Sequence, residues 1–182
     1  QLKKGGYILL SAHREENIDI EANFLSLMNS VNAMAEKYDM PILYSCHPRS
    51  QKIIEKRGFV FDKRVIRHQP LGFHDYNHLQ QNAYCVVSDS GTIPEEAAYF
   101  RFPAVSIRTS TERPEAMDKG VFVIGCISTE QVLQAVELAV QMFANEDLPI
   151  CVPAYNDINV ATKVVKLIQS YTGIVNKMVW RK

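Results

Sequence analysis

From Ser88 to Glu96 the chain reads Ser88-Asp89-Ser90-Gly91-Thr92-Ile93-Pro94-Glu95-Glu96, and hydroxyl, small and acidic side chains in that order can hold an anion. The apolar run Tyr84-Cys85-Val86-Val87 precedes it and Ala97-Ala98-Tyr99-Phe100 follows, a pattern that predicts a strand, a tight turn and a helix start. The first N–H groups of a helix have no intrahelical acceptor, and the helix dipole adds partial positive charge there. Ser90 and Thr92 supply hydroxyl donors, and Gly91 leaves the backbone open to close approach. The segment reads as an anion cradle, with an acid pair beside it able to hold neutral hydroxyls. Phosphate next to sugar is the chemistry of a nucleotide.

Other clusters repeat the theme. His13-Arg14-Glu15-Glu16-Asn17 follows the apolar run Tyr7–Leu10, where a histidine beside an arginine can meet phosphate or protonate a leaving group. A solvated loop, with Glu15, Glu16 and Asn17 neutralising the arginine or capping the next helix, is the alternative there. His47-Pro48-Arg49 follows a second apolar run and fits a helix-starting turn as well as a ligand role. In Arg108-Thr109-Ser110-Thr111-Glu112-Arg113-Pro114-Glu115, a stretch too polar for core, Arg113 can fork two bonds onto a diphosphate, with Glu112 and Glu115 to orient it. Thr92 and Glu95 have capping-box spacing, which leaves Glu96 as the acid free to accept from a vicinal diol such as ribose. Phe73 and Tyr76 are expected in the core, or one of them stacks on a base.

These residues are set out by short apolar runs alternating with helix-length amphipathic segments. Strands are expected at 7–11, 41–46, 65–66, 84–88, 104–107 and 121–124. Helices are expected at 20–38, 50–56 (closed by Gly58), 74–82, 95–100, 129–144 and 159–172. Strict alternation implies an α/β fold, a doubly wound parallel sheet covered on both faces. Such sheets bind ligands beyond the carboxyl ends of their strands, where the winding reverses, and the polar clusters fall at those ends.

The 182 residues suit one domain with a substantial core. Zero net charge argues against a nucleic-acid or membrane-surface binder, and no apolar run approaches the ~20 residues of a membrane span. Cys46, Cys85, Cys126 and Cys151 are widely spaced, which predicts free thiols in a reducing cytoplasm rather than disulfides. His68, His74 and His78 lack metal-ligand spacing, so no metal is expected, and no cofactor either. The chain enters its first strand almost at once, which predicts an interdomain boundary and hence a piece of a longer protein.

His13-Arg14-x-Glu16-Asn17, Asp89-Ser90-Gly91-x-Ile93-x-Glu95-Glu96 and Thr111-Glu112-Arg113-Pro114-Glu115 together resemble the non-hydrolysing UDP-N-acetylglucosamine 2-epimerases, from Tyr7 to about Tyr171. The resemblance implies a Rossmann-like domain, one half of a glycosyltransferase-B (GT-B) type pair whose active site lies in the cleft between halves. This chain resembles the carboxy-terminal, UDP-binding half, the amino-terminal domain being absent from it. Carried over by position, Ser90, Gly91 and Thr92 would contact the diphosphate, Glu96 the ribose, Arg113 a phosphate, and Tyr76 would stack on uracil. His13 matches the family's catalytic histidine, while Arg14 and His47 would line the cleft or a regulatory nucleotide-sugar site. The implied reaction inverts C2 of a UDP-2-acetamido sugar by eliminating and re-adding UDP, for bacterial capsule or other surface polysaccharide. The implied partners are a UDP-sugar, the chain's own amino-terminal domain and a second copy as a homodimer, with no nucleic acid or membrane.

Thr92 stands where many members have glycine, and Pro94 where many have glutamine. The Ser11–Asn17 and Arg108–Thr111 runs look more like the branch forming UDP-N-acetyl-L-fucosamine, so the substrate sugar stays open. A UDP-sugar glycosyltransferase of the same fold is the nearest alternative and would require an acceptor. A non-catalytic nucleotide-sugar module is the other, and it would have no use for His13.

Overall fold

The computed structural model describes residues 2–145 and 152–182, in two units, Gln1–Val152 and Pro153–Lys182. Cys151 lies outside the described residues.

In the first unit β1 (Ile8–Ser11), β2 (Ile42–Ser45), β3 (Val65–His68), β4 (Cys85–Ser88), β5 (Ala104–Ser106) and β6 (Val123–Ile124) form one parallel sheet in the order β3-β2-β1-β4-β5-β6. The chain winds outward from β1 to β3, then crosses back to place β4 on the other side of β1. The winding therefore reverses between β1 and β4. The helices are α1 (Glu15–Ile18), α2 (Glu21–Tyr38), α3 (Pro48–Arg57), α4 (Phe73–Asn82), α5 (Ile93–Phe100), α6 (Pro114–Met117) and α7 (Thr129–Ala144).

Central strands are apolar on both faces. Ile8, Leu10, Ile42, Tyr44, Cys85, Val87, Val105 and Ile107 pack with Phe24, Leu27, Met28 and Val31 of α2 and with Val132 and Val136 of α7. Right-handed crossovers put α4 and α5 on the opposite face, over the buried Leu9, Leu43, Val86 and Ala104. Gly125 follows β6 where a Cβ would sit 2.8 Å from Val105 Cγ1 and 3.0 Å from Ala135 Cβ, so only glycine lets α7 come this close. Cys46 and Cys85 are free and buried, and burial pushes both thiols up.

Several boundaries differ from those the sequence predicts. β3 extends two residues further, through Arg67 and His68, because it is the sheet edge and its half-exposed positions carry polar side chains. One-turn helices α1 and α6 occupy the expected loops at Glu15–Ile18 and Pro114–Met117. In the second unit, a 3-10 turn at Pro153–Tyr155 precedes α8 (Val160–Met178), which continues past the expected end at Thr172 through Gly173. One interior glycine costs a helix only about 1 kcal/mol. Among the described residues no helix is long and apolar enough to cross a membrane.

Candidate functional site

Asp89 directly follows β4, and its side chain is fully buried. Its Oδ2 accepts from the backbone N–H of His13 (2.9 Å), that of Arg14 (2.9 Å) and Asn17 Nδ2 (3.2 Å). Asn17 also donates to the Ile107 carbonyl at 3.1 Å, linking the ends of β1, β4 and β5. From the other side, the Ala12 carbonyl accepts from Tyr44 Oη (3.0 Å) and Ser50 Oγ (3.2 Å). The loop after β1 is thus clamped by groups from β2, α3 and β4, and His13 is delivered to a fixed place. Its ring Nδ1 lies 3.1 Å from Asp89 Oδ1.

A hollow of about 200 Å³ opens at the switch point between β1 and β4, walled by Ser11, His13, Tyr76, Ser88, Ser90 and Glu96. His13, Tyr76, Ser90 and Glu96, drawn from three separate stretches of the chain, share it. Glu96 is held at both oxygens: Thr92 Oγ1 donates to Oε1 at 2.7 Å and Gln80 Nε2 to Oε2. Tyr76 is pushed up to about 12, first by burial and then by the nearby Glu96 carboxylate, so its phenol stays neutral. Phe73 is 72% exposed, with its ring against His74, and takes no part.

The turn itself is hydroxyl-rich. Ser90 N–H donates to Ser88 Oγ at 3.0 Å, and Ser90 Oγ lies 3.0 Å from Thr92 Oγ1. A Cβ placed on Gly91 would meet only Arg14 Nη2, at 3.9 Å. Glycine is therefore not demanded by backbone strain there; its effect is to leave the surface of the turn low. Arg14 Nε donates to the Asp89 carbonyl at 2.9 Å, which holds its guanidinium over the turn.

The expected capping box does not form. Thr92, at the N-cap of α5, makes no side-chain cap and turns to Glu96 instead, while Glu95 binds Arg113 Nε. A local cap lost to a long-range ion pair across 18 residues of chain. Arg113 does not line the hollow; its guanidinium is oriented by Glu95 through Nε and by the Glu112 backbone carbonyl, which accepts from Nη1 at 3.3 Å. Glu112 instead takes Arg108 in a two-pronged pair, and Arg108 is buried although its segment reads as too polar for core. His47 lies outside the hollow: it caps α3, its Nδ1 accepting from Arg49 N at 3.3 Å. A larger groove of about 660 Å³ runs between α3 and the edge strand β3, but it lies away from the switch point and the Ser90 turn.

Asp89, Asn17 and Gln80 are the residues that sequence reasoning passed over. Asp89 and Asn17 stand inside noted motifs without these roles; Asn17 and Gln80 act through partners 72 and 16 residues away, which no local pattern reveals.

Comparison with known proteins gives matches in both sequence and fold. The profile of the family described as UDP-N-acetylglucosamine 2-epimerase matches residues 1–169. A UDP-N-acetylglucosamine 2-epimerase of Methanococcus maripaludis is 33% identical over 140 residues, covering 74% of this chain and 38% of that protein. The structure of UDP-N-acetylglucosamine 2-epimerase from Rickettsia bellii superposes with a TM-score of 0.79 at 35% identity, over 100% of this chain and 48% of that one. The Methanocaldococcus jannaschii UDP-GlcNAc 2-epimerase, in complex with UDP-GlcNAc and UDP, superposes with a TM-score of 0.69 at 30% identity, over 74% of this chain and 38% of that one. The chain spans half the length of these relatives or less.

Proposed function

The chain belongs to the UDP-N-acetylglucosamine 2-epimerase family, and from that membership we propose that it is the carboxy-terminal, UDP-binding half of an epimerase acting on a UDP-2-acetamido sugar. The observation that carries this is the convergence of His13, Tyr76, Ser90 and Glu96 on one hollow at the switch point of the sheet. Glu96, with each oxygen already oriented by one donor, accepts the two ribose hydroxyls. Tyr76 lies against the uracil. Ser90, Gly91, Thr92 and the first amides of α5 hold the diphosphate, with Arg14 and Arg113 adding positive charge. At about 200 Å³ the hollow is smaller than a usual ligand site, as expected of one wall of a cleft completed by an amino-terminal domain in a GT-B arrangement.

The chemistry is an elimination followed by its reverse. A base takes the C2 proton, the C1–O bond breaks with its electron pair leaving on the diphosphate, and a 2-acetamidoglycal and UDP result. Protonation of C2 from the other face and re-addition of UDP to C1 give the epimer. This half of the site stabilises the departing diphosphate, with His13 as the proton donor and acceptor beside it. We assign the C2 acid and base to the other domain, the intact enzyme to a cytoplasmic homodimer, and its product to bacterial surface polysaccharide. Arg14 and His47, which follow β1 and β2, are the residues we assign to the cleft or to a regulatory nucleotide-sugar site.

The test is to incubate the longer protein that carries this chain with UDP-N-acetylglucosamine in deuterated water and no acceptor. Epimerisation with deuterium at C2 is expected. Conversion that needs an acceptor sugar would identify a glycosyltransferase instead, and binding without turnover a nucleotide-sugar module.

A further inference from the structure

The two oxygens of the buried Asp89 carboxylate are used very differently. Oδ2 takes donors from His13, Arg14 and Asn17, whereas Oδ1 makes no hydrogen bond among the described residues. A carboxylate oxygen left unpaired in a fully buried site is costly. The group placed to satisfy it is His13 Nδ1, 3.1 Å away, close enough to pair although not aligned as a hydrogen bond. A small rotation of the imidazole, whose side chain is 47% exposed, would close the contact. The backbone amide of His13 is already bound to Oδ2, so one carboxylate fixes both the main chain and the ring of the same residue.

We propose that Asp89 is the positioning residue of the site, holding His13 as the Nδ1–H tautomer so that Nε2 is the nitrogen offered to the hollow. Its catalytic meaning rests on the reading of the hollow as a UDP-sugar site; the tautomer does not. With Nδ1 committed to Asp89, Nε2 either carries a proton, and gives it to the diphosphate oxygen as the C1–O bond breaks, or takes that proton back when UDP re-adds. The carboxylate stabilises the imidazolium between those events, as the acid of a Ser-His-Asp triad does.

The test is an NMR measurement of the His13 ring nitrogens in the 15N-labelled 182-residue chain, at a pH where the ring is neutral. A protonated Nδ1 and a bare Nε2 are expected; the opposite tautomer overturns the proposal. In Asp89→Asn, the amide oxygen stays with the backbone donors of His13 and Arg14, and its NH2 faces Nδ1. Nδ1 must then accept, and the tautomer should invert to Nε2–H. In the longer protein the same variant should lose about 100-fold or more in kcat, with KM within about threefold of wild type. An unchanged tautomer or an unchanged kcat in the variant overturns the proposal as well. If Asp89→Asn does not fold, the wild-type tautomer decides alone. A chain that shows Nδ1–H yet binds no UDP would refute the functional reading and leave the role of Asp89 standing.

Discussion

Replacing Glu96 with glutamine removes half of an acceptor pair without changing its size. In the wild type both carboxylate oxygens are oriented by protein donors, Gln80 Nε2 on one and Thr92 Oγ1 on the other, leaving each free to accept a ribose hydroxyl. Glutamine keeps one acceptor oxygen and turns the other position into a donor. Because Gln80 also donates, the new NH2 is driven towards Thr92, whose hydroxyl can reverse to accept. One ribose hydroxyl then loses a hydrogen bond to a charged acceptor. Such a bond contributes about 1.5–3 kcal/mol, so UDP should bind roughly 10- to 150-fold more weakly to Glu96→Gln. Calorimetric titration with UDP measures this, and 2′,3′-dideoxy-UDP, which has no hydroxyls to donate, closes the cycle. The dideoxy ligand should bind wild type and variant within about twofold of each other. Equal weakening of both ligands would refute the ribose assignment, because the loss would then come from a distorted site.

Tyr76→Phe should keep UDP affinity within about threefold, whereas Tyr76→Ala should lose about 1–3 kcal/mol, the scale of a base stacked on an aromatic ring, by the same titration. The Arg108 guanidinium, first through its hydrogen bonds, pulls the Glu112 carboxyl down from 4.5 to about 2, so the ionised form is favoured by folding. That stabilisation is complete above the ordinary value and is lost as pH falls towards 2; Glu112→Gln should therefore be less stable than wild type in urea at pH 7, with the gap closing between about 4.5 and 2. Phe24 is fully buried, edge-on to Phe59 at 6.0 Å and 4.5 Å from the Arg57 guanidinium; Phe24→Ala should cost about 3–5 kcal/mol in urea denaturation, and a loss under about 1 kcal/mol would contradict the core assignment.

Alternation of apolar runs with amphipathic segments is a strong signal. It is enough to locate the six strands and to place the polar clusters at their carboxyl ends, because burial on both faces leaves central strands almost purely apolar. Apolar patterning truncates β3 because an edge strand admits Arg67 and His68. Thr92 and Glu95 fit a local rule that the fold overrides, since Arg113 offers Glu95 a charged partner that no backbone N–H can match. Arg108 read as surface because its type and neighbours are polar; the Glu112 carboxylate is what makes its burial tolerable. Ser90 is legible from turn chemistry; Glu96 follows in the sequence from a capping box expected to use Glu95, and it lines the hollow although that box does not form. The fixation of His13 is not legible, because it depends on which oxygen of a carboxylate 76 residues away is already occupied.

The central claim is that the hollow between the ends of β1 and β4 holds UDP. Titrating UDP into the 15N-labelled 182-residue chain and following backbone amides tests it most directly. Saturable shifts confined to His13, Tyr76, Ser90, Gly91 and Glu96, with a Kd near about 1 mM for half a site, are the predicted result. Shifts gathered along the groove between α3 and β3, or none up to about 10 mM UDP, would contradict it.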